Sequence, residues 1–239
     1  MKASDIAAVP IQAGAALRHR RLFHPTGVLA HGSIERLAPP TEGLPVESGA
    51  IVGRLSKAVG TPGALPDAAG LAWRMPPAAF AATPWDVLLA TAGVGTGSWV
   101  GNRVLLRPVT RWSDAVYSSL VPLRCSDELW WVRARTATSI DARGLALDTI
   151  TDVIGRGGIE FTVEQARGTA DFEPLARLSL TEVIPAAEEH HHDVSFDPVR
   201  YTAADVQVWP DWLRDLRSIA YRSSREGRDA ASASQSGGS

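Results

Sequence analysis

The chain of 239 residues contains one cysteine, Cys125, so no disulfide can form within it. That usage fits a reducing compartment. Lysine is almost absent, at Lys2 and Lys57 only, and arginine carries the positive charge. Lys and Arg number 24 against 26 Asp and Glu, giving a net charge of −2 and a pI of about 6.3. No basic excess points to nucleic acid or anionic lipid, so DNA, RNA and membrane surfaces are not expected partners. Long apolar runs are missing too, and none approaches the roughly 18 residues that a membrane span needs. The first residues are Ala-rich but broken by Pro10 and Gln12, without the continuous apolar stretch of a secretory leader. The expected location is the cytoplasm.

What is present is an ordinary globular composition, 45% hydrophobic and 21% charged, and a length that one all-β domain can fill. Short β-type segments alternate with Gly and Pro punctuation: 22–37, bent at Gly27 and Gly32, then 49–55, 71–75, 85–91, 116–123, 129–138, 158–167 and 175–183. Such a meander predicts a mainly β fold, an antiparallel barrel. A short helix is expected over 5–19. Thr202 to Asp205 reads as the opening of a second helical region, with its main helix over 212–225. One domain over 1–228 is followed by a small, polar tail, 229–239, expected to be disordered.

Two residue groups carry candidate chemistry. Arg217 and Tyr221 stand four apart, on one face of a helix. The charged guanidinium can donate to the phenol oxygen and favour tyrosinate, a rare axial ligand for haem iron. Arg228 follows Tyr221 by seven residues and shares that face. Near the start, His24 follows the basic run Arg18-His19-Arg20-Arg21 and heads a segment whose glycines permit close approach of a flat ligand. On residues alone, His24 also reads as a surface or satisfied core histidine, the arginines as solvated charges, and Tyr221 as helix packing.

Six segments in order, followed by Arg217 with Tyr221, resemble the haem-dependent catalase family, especially its short, single-domain, peroxidase-like members. Arg21-Leu22-Phe23-His24 with Gly27 is similar to the Arg-x-x-His-Ala-Lys-Gly stretch. Gly53-Arg54-Leu55-Ser56 resembles the Arg-Phe-Ser strand, and Asp67 to Ala72 the Asp-Pro-Arg-Gly-Phe-Ala turn. Trp85-Asp86 resembles the Trp-Asp step that follows. Phe172 to Arg177 and Ser195 to Pro198 look like the connector before the final helices, and Arg217 with Tyr221 like the proximal pair. The resemblance spans about residues 15 to 228. It implies a catalase-type barrel with flanking N- and C-terminal helices and haem b held on Tyr221 as iron ligand. His24 becomes the distal acid–base group, with Ser56 fixing its tautomer. Arg21, Arg54 and Arg228 become the propionate partners, Arg217 the tuner of Tyr221, and Phe23 a distal lining residue. The implied activity is that of a haem peroxidase or weak catalase, taking hydrogen peroxide or organic hydroperoxides and a small organic electron donor. An assembly of identical chains is left open.

The sequence departs from the family where a distal amide orients peroxide. Here Trp85-Asp86 runs into Val87, Leu88, Leu89 and Ala90, which predicts a greasy pocket favouring bulky hydroperoxides. Two alternatives follow: a haem-binding sensor or carrier with little turnover, or a barrel that binds another hydrophobic ligand. Other patterns carry less. Adjacent His190-His191-His192 beside Glu188 and Glu189 rarely converge on one metal ion. Gly93 to Gly97 lacks the Lys-Ser/Thr of a phosphate loop. Core packing accounts for the eight tryptophans.

Overall fold

A computed structural model describes residues 27–58, 60–77, 83–93, 101–188 and 196–210. Ten strands form one antiparallel sheet: β1 (Gly27–Arg36), β2 (Gly49–Lys57), β3 (Ala69–Met75), β4 (Trp85–Thr91), β5 (Val116–Ser118), β6 (Leu123–Cys125), β7 (Glu128–Thr136), β8 (Ile159–Arg167), β9 (Glu173–Val183) and β10 (Val206–Val208). The order β7-β5-β4-β3-β2-β1-β9-β8 closes on itself because β7 also pairs with β8. The expected antiparallel barrel is present, with eight strands in the ring. β6 lies beyond β5 on the same side of β7, and β10 adds to β6. The flanking helices expected at 5–19 and 212–225, and the tail, lie outside the described residues.

Closure gives each strand an inner and an outer face, and side chains alternate between them. Register makes the division explicit. Val28, Leu55, Leu71 and Leu89 stand opposite one another across β1 to β4, as do Ala30, Gly53, Trp73 and Val87. All except Gly53, which carries no side chain, belong to the central apolar cluster. Tyr117 and Phe161 meet edge to face inside it, with ring centroids 6.1 Å apart. At Gly53 a Cβ would come within 2.5 Å of Leu180 Cδ2, so the glycine makes room for the inner leucine.

Two α-helices, α1 (Gly101–Val104) and α2 (Leu147–Gly157), and a 3-10 turn at Trp112–Asp114 complete the described chain. The sequence reading passed over α2, whose Leu147, Ile150 and Ile154 recur at helical spacing. Ile150 and Ile154 are buried, and the helix packs toward β9 and β1. Two other readings are corrected. The segment expected as one strand over 116–123 is split into β5 and β6. Where a helical region was to open after Thr202, residues 206–208 pair as β10 with β6.

The loop after β1 is organised by one cation. Arg36 donates to the carbonyls of Ala38 (3.0 Å), Pro39 (2.8 Å), Glu42 (2.6 Å), Leu44 (2.6 Å) and Val46 (3.0 Å). A guanidinium has five N–H donors, and here each meets a backbone acceptor. Gln165 Oε1 accepts from Leu44 N at 2.9 Å and ties that loop to β8.

Burial makes the barrel interior sensitive to alkali. The Tyr117 phenol is fully buried, and burial pushes it well above its ordinary 10.0. The folded chain therefore keeps a proton that the unfolded chain releases above about pH 10. Stability from this group is complete below that pH and falls by about 1.4 kcal/mol per unit above it. Urea midpoints of wild type and Tyr117→Phe between pH 9 and 11 should diverge in slope, the wild type falling faster. Parallel curves would show that Tyr117 ionises freely in the fold.

Candidate functional site

The outer face of the barrel carries the sequence-predicted residues that the structure describes. One cross-strand row reads Gly27–Ser56–Gly70–Ala90–Ser118 from β1 to β5. The next row reads Leu29–Arg54–Ala72–Leu88. Small side chains at every position of the first row leave a level floor, since nothing rises more than a methyl or hydroxyl above the backbone. The floor is on the outside yet shielded: Ser56 is 6% exposed, Ala90 4% and Ser118 3%. Leu29 and Ala72 are buried beside it without belonging to the central cluster.

Arg54 and Ser56 are thus brought together on one face, two residues apart on β2. Arg54 lies over Gly27: a Cβ there would stand 2.7 Å from Arg54 Nε and 2.6 Å from Leu55 O. Glycine at position 27 gives the guanidinium its path across the floor. Leu88 is half-buried and Ala90 buried in the positions expected to line it. Thr91, beside Ala90, faces the other way. Its hydroxyl donates to Arg107 O (2.6 Å) and accepts from Ala69 N (3.0 Å). Arg21, Phe23, His24, Arg217, Tyr221 and Arg228 lie outside the described residues, so the structure does not place them.

Sequence reasoning missed the wall at the β5 edge. Ser118 Oγ donates to Arg103 O at 2.6 Å and accepts from Leu120 N at 3.3 Å. Its proton is therefore used within the fold. Arg103, in α1, is 2% exposed and donates to Gly168 O (2.7 Å) and Ala170 O (2.6 Å). Its guanidinium lies 5.6 Å from the Trp131 ring centre and 4.7 Å from that of Phe172, and Arg133 lies 4.0 Å from the latter. Burial pushes Arg103 below its ordinary value, Arg133 adds to that, and Asp171 partly offsets it. Glu164 accepts from Arg133 Nε at 2.8 Å and Arg135 Nη2 at 2.7 Å, neutralising part of the charge. The available signal was a lone buried-size arginine flanked by aromatics far away in sequence, which only folding brings together.

The remaining matched segments have structural jobs. Asp67 Oδ2 accepts from Thr61 N (2.9 Å) and Thr61 Oγ1 (3.1 Å), closing the turn before β3. Lys57, buried at the end of β2, donates to Gly63 O (2.8 Å) and Leu65 O (3.3 Å) in that turn. Burial pushes its ammonium below the usual lysine value, and Asp67 partly offsets this. Asp86 is buried and accepts two bonds from Arg74, at 2.7 and 2.8 Å, and one from Asp197 N at 2.7 Å. Residues 173–177, read as part of a connector, belong to β9 and are integral to the barrel. Among the described residues no group of three or more His, Cys, Asp or Glu could hold a metal ion, and no helix is long and apolar enough to cross a membrane. His190 to His192 are outside them.

No protein-family model matches the sequence, and no curated protein matches it. Solved structures do. A fungal catalase has a TM-score of 0.60 at 12% identity, over 94% of this chain and 63% of its own. Catalase A from Saccharomyces cerevisiae gives 0.60 at 12%, over 94% and 64%. The chain has a catalase-like barrel. It spans less than two thirds of either catalase, and at this identity the likeness establishes the fold.

The close approach at Gly27 generates a test of the floor. Gly27→Ala sets a methyl against Leu55 O and the Arg54 guanidinium, and overpacking of this kind costs about 1–3 kcal/mol. The urea midpoint should drop accordingly with an unchanged slope. A midpoint equal to wild type would show that the space above Gly27 is not needed.

Proposed function

We propose that the protein is a haem b-dependent peroxidase-type oxidoreductase. The observation that carries this reading is the in-register floor of small residues with Arg54 crossing it and Ser56 within it, on a catalase-like barrel. The floor suits a flat macrocycle, because a larger side chain at Gly27, Gly70 or Ala90 would lift a planar ligand off the sheet. Arg54 supplies the guanidinium that a propionate requires, and its fork matches a carboxylate bidentately.

Haem b, when bound, would supply the redox-active iron that peroxide reduction needs. The chain's own residues would do the rest. Tyr221 would hold the iron, and Arg217, donating to the phenolate oxygen, would lower its basicity. Arg21, Arg54 and Arg228 would hold the propionates. His24 would take the proton from one peroxide oxygen and return it to the other, so that the O–O bond breaks heterolytically. Its ordinary pKa near neutrality suits both halves of that transfer, and a Ser56 hydroxyl bond to the other ring nitrogen would fix the tautomer. Phe23, with Leu29 and Leu88, would line the peroxide side. Reduction of a hydroperoxide to alcohol and water consumes two electrons and two protons, the electrons coming from a small organic donor. A cytoplasmic setting fits the single cysteine.

A second reading, a haem-binding sensor or carrier with little turnover, is favoured by Ala90 in the floor and by the Ser118 proton engaged with Arg103 O. Rate separates the two. Titration of the haem-free chain with hemin should give a one-to-one ferric complex with a phenolate-type spectrum. Tyr221→Phe should lose stable incorporation or that spectrum. His24→Ala should keep the haem while slowing peroxide cleavage by about 10²–10⁴-fold. No hemin complex would leave only a barrel for another hydrophobic ligand; a complex with no turnover would support the sensor.

Substrate preference follows from the rows around the floor. Each methylene of an alkyl hydroperoxide buried against Leu29 and Leu88 contributes about 0.8 kcal/mol. Two or three of them offset a missing hydrogen bond of about 1 kcal/mol. Peroxidatic turnover of a chromogenic donor should run faster with an alkyl hydroperoxide than with hydrogen peroxide, and oxygen evolution should be weak. Vigorous oxygen evolution on an oxygen electrode would sink this preference.

A further inference from the structure

Between β2 and β3 the chain turns through Thr61-Pro62-Gly63-Ala64-Leu65-Pro66-Asp67. From Pro62 to Pro66 every residue is exposed and none has a polar side chain; Leu65 is 56% exposed. Two other segments lie against this turn. Asp67 N donates to Val109 O at 3.3 Å, Val109 N to Asp67 O at 2.8 Å, and Leu145 N to Ala64 O at 3.2 Å. A Cβ at Gly144 would stand 2.5 Å from that of Ala64, and Arg111 bridges to Gly144. Residues 62–66, 105–111 and 143–145 thus meet at the end of the barrel where β2 passes to β3. Within these stretches the exposed charges are all positive: Arg107, Arg111 and Arg143. Among the described residues their side chains make no ion pair or hydrogen bond. The nearest exposed acids along the chain, Asp114 and Asp141, lie outside them, and Asp114 accepts from Ser113 Oγ. Leu105, 39% exposed, adds apolar surface on the second segment.

The carbonyls of the apolar tip are satisfied from within the protein. Pro62 O accepts from Leu65 N at 3.3 Å, and Ala64 O from Leu145 N. Lys57 Nζ donates to Gly63 O at 2.8 Å and Leu65 O at 3.3 Å, and Thr61 Oγ1 lies 3.2 Å from Leu65 O. Lys57, one of two lysines in the chain, is buried to make these bonds. An exposed turn in water does not need them, because water bonds free carbonyls. A turn that enters an apolar phase does, since an unmet carbonyl is costly there. Pro62 and Pro66 bring no N–H group that would need a partner. An acidic protein partner would call for the arginines alone. The self-satisfied apolar tip calls for a lipid phase as well.

We propose that this end of the barrel docks on an anionic phospholipid surface. Leu65, with Pro62, Ala64 and Pro66, enters the boundary between headgroups and acyl chains, and Arg107, Arg111 and Arg143 lie among the phosphates. Guanidinium groups suit that place because their planar forks match phosphate oxygens. The net charge of −2 conceals this face. Charges act on a lipid surface only within about 8 Å at physiological salt, so the local sign decides, and the composition-based expectation of no membrane partner does not extend to it. The docking is peripheral, and it stands whether or not the outer floor holds haem.

The test is flotation of the full chain with vesicles of phosphatidylcholine alone and of an equal mixture with phosphatidylglycerol. The chain should float with the mixed vesicles at low salt, come off them at high salt, and stay behind with phosphatidylcholine alone. One arginine near an anionic surface is worth about 5-fold in affinity, so Arg107→Gln with Arg111→Gln and Arg143→Gln should weaken binding roughly 100-fold. Leu65→Ser should weaken it independently. Leu37→Ser removes a leucine that is 45% exposed just past the far end of β1, and should float as wild type does. These side chains are all exposed, so urea midpoints of the variants should equal that of wild type and a change in flotation reports the surface. A chain that floats with neither vesicle would overturn the proposal. So would a triple variant, or Leu65→Ser, that floats like wild type. Capture on immobilised polyglutamate without flotation would assign the face to an acidic protein instead.

Discussion

Everything described here depends on β7 pairing with β8 as well as with β5 and β6. That pairing, from Trp130 opposite Arg167 to Thr136 opposite Phe161, turns an open sheet into a ring. Two long exposed edges would otherwise remain. Once the ring is closed, period-two alternation has a definite meaning: one set of residues fills the interior and the other faces out. The large apolar residues, Trp73, Leu55, Leu71, Leu89, Tyr117 and Phe161, fall inside. One outer row between β1 and β5 is then free to be small, and Gly27, Ser56, Gly70, Ala90 and Ser118 fill it. The floor is a by-product of filling the barrel from the other face.

Two kinds of arginine anchor the barrel, told apart by their partners. Arg36 and Arg103 are held by backbone carbonyls and serve as cross-links, tying loops to strands. Arg74, Arg133 and Arg135 pair with the buried carboxylates Asp86 and Glu164. Planar guanidinium suits both jobs because it can donate several bonds in one plane while a ring lies against its face. Lysine lacks that plane, although Lys57 cross-links a turn through two backbone carbonyls. The assemblies around Arg103 and Arg74 also frame the floor: one stands at the β5 edge through Ser118, the other one row beyond Arg54.

Chemically, the floor offers few donors. Ser118 directs its hydroxyl proton to the carbonyl of Arg103, and Ala90 has none to give. Any ligand lying there meets apolar surface from Leu29, Ala72 and Leu88, with polar contact concentrated at Ser56 and Arg54. A surface of this kind discriminates by shape and apolar area more than by hydrogen bonds. That is why the proposed preference is for a hydroperoxide with a carbon chain rather than for hydrogen peroxide.

The sequence by itself determined the strand meander, since alternation and Gly/Pro punctuation are local properties. It located most of the barrel strands within a few residues, although the strand expected over 49–55 stops one short of Ser56, which β2 includes. It also exposed the apolar run through Ala90. Only the tertiary structure decided which residues are neighbours across strands. That Gly27, Ser56, Gly70, Ala90 and Ser118 form one row depends on register, and register is set by turns and bulges that no single segment encodes. The strand at 206–208 was illegible for the same reason: Thr202 to Asp205 suits a helix start, and pairing with β6 outweighs that preference. Asp86 shows the limit most clearly. In sequence it is an acid after a tryptophan; its partners, Arg74 and Asp197, are chosen by the register of β3 with β4 and by the return of the chain across the sheet.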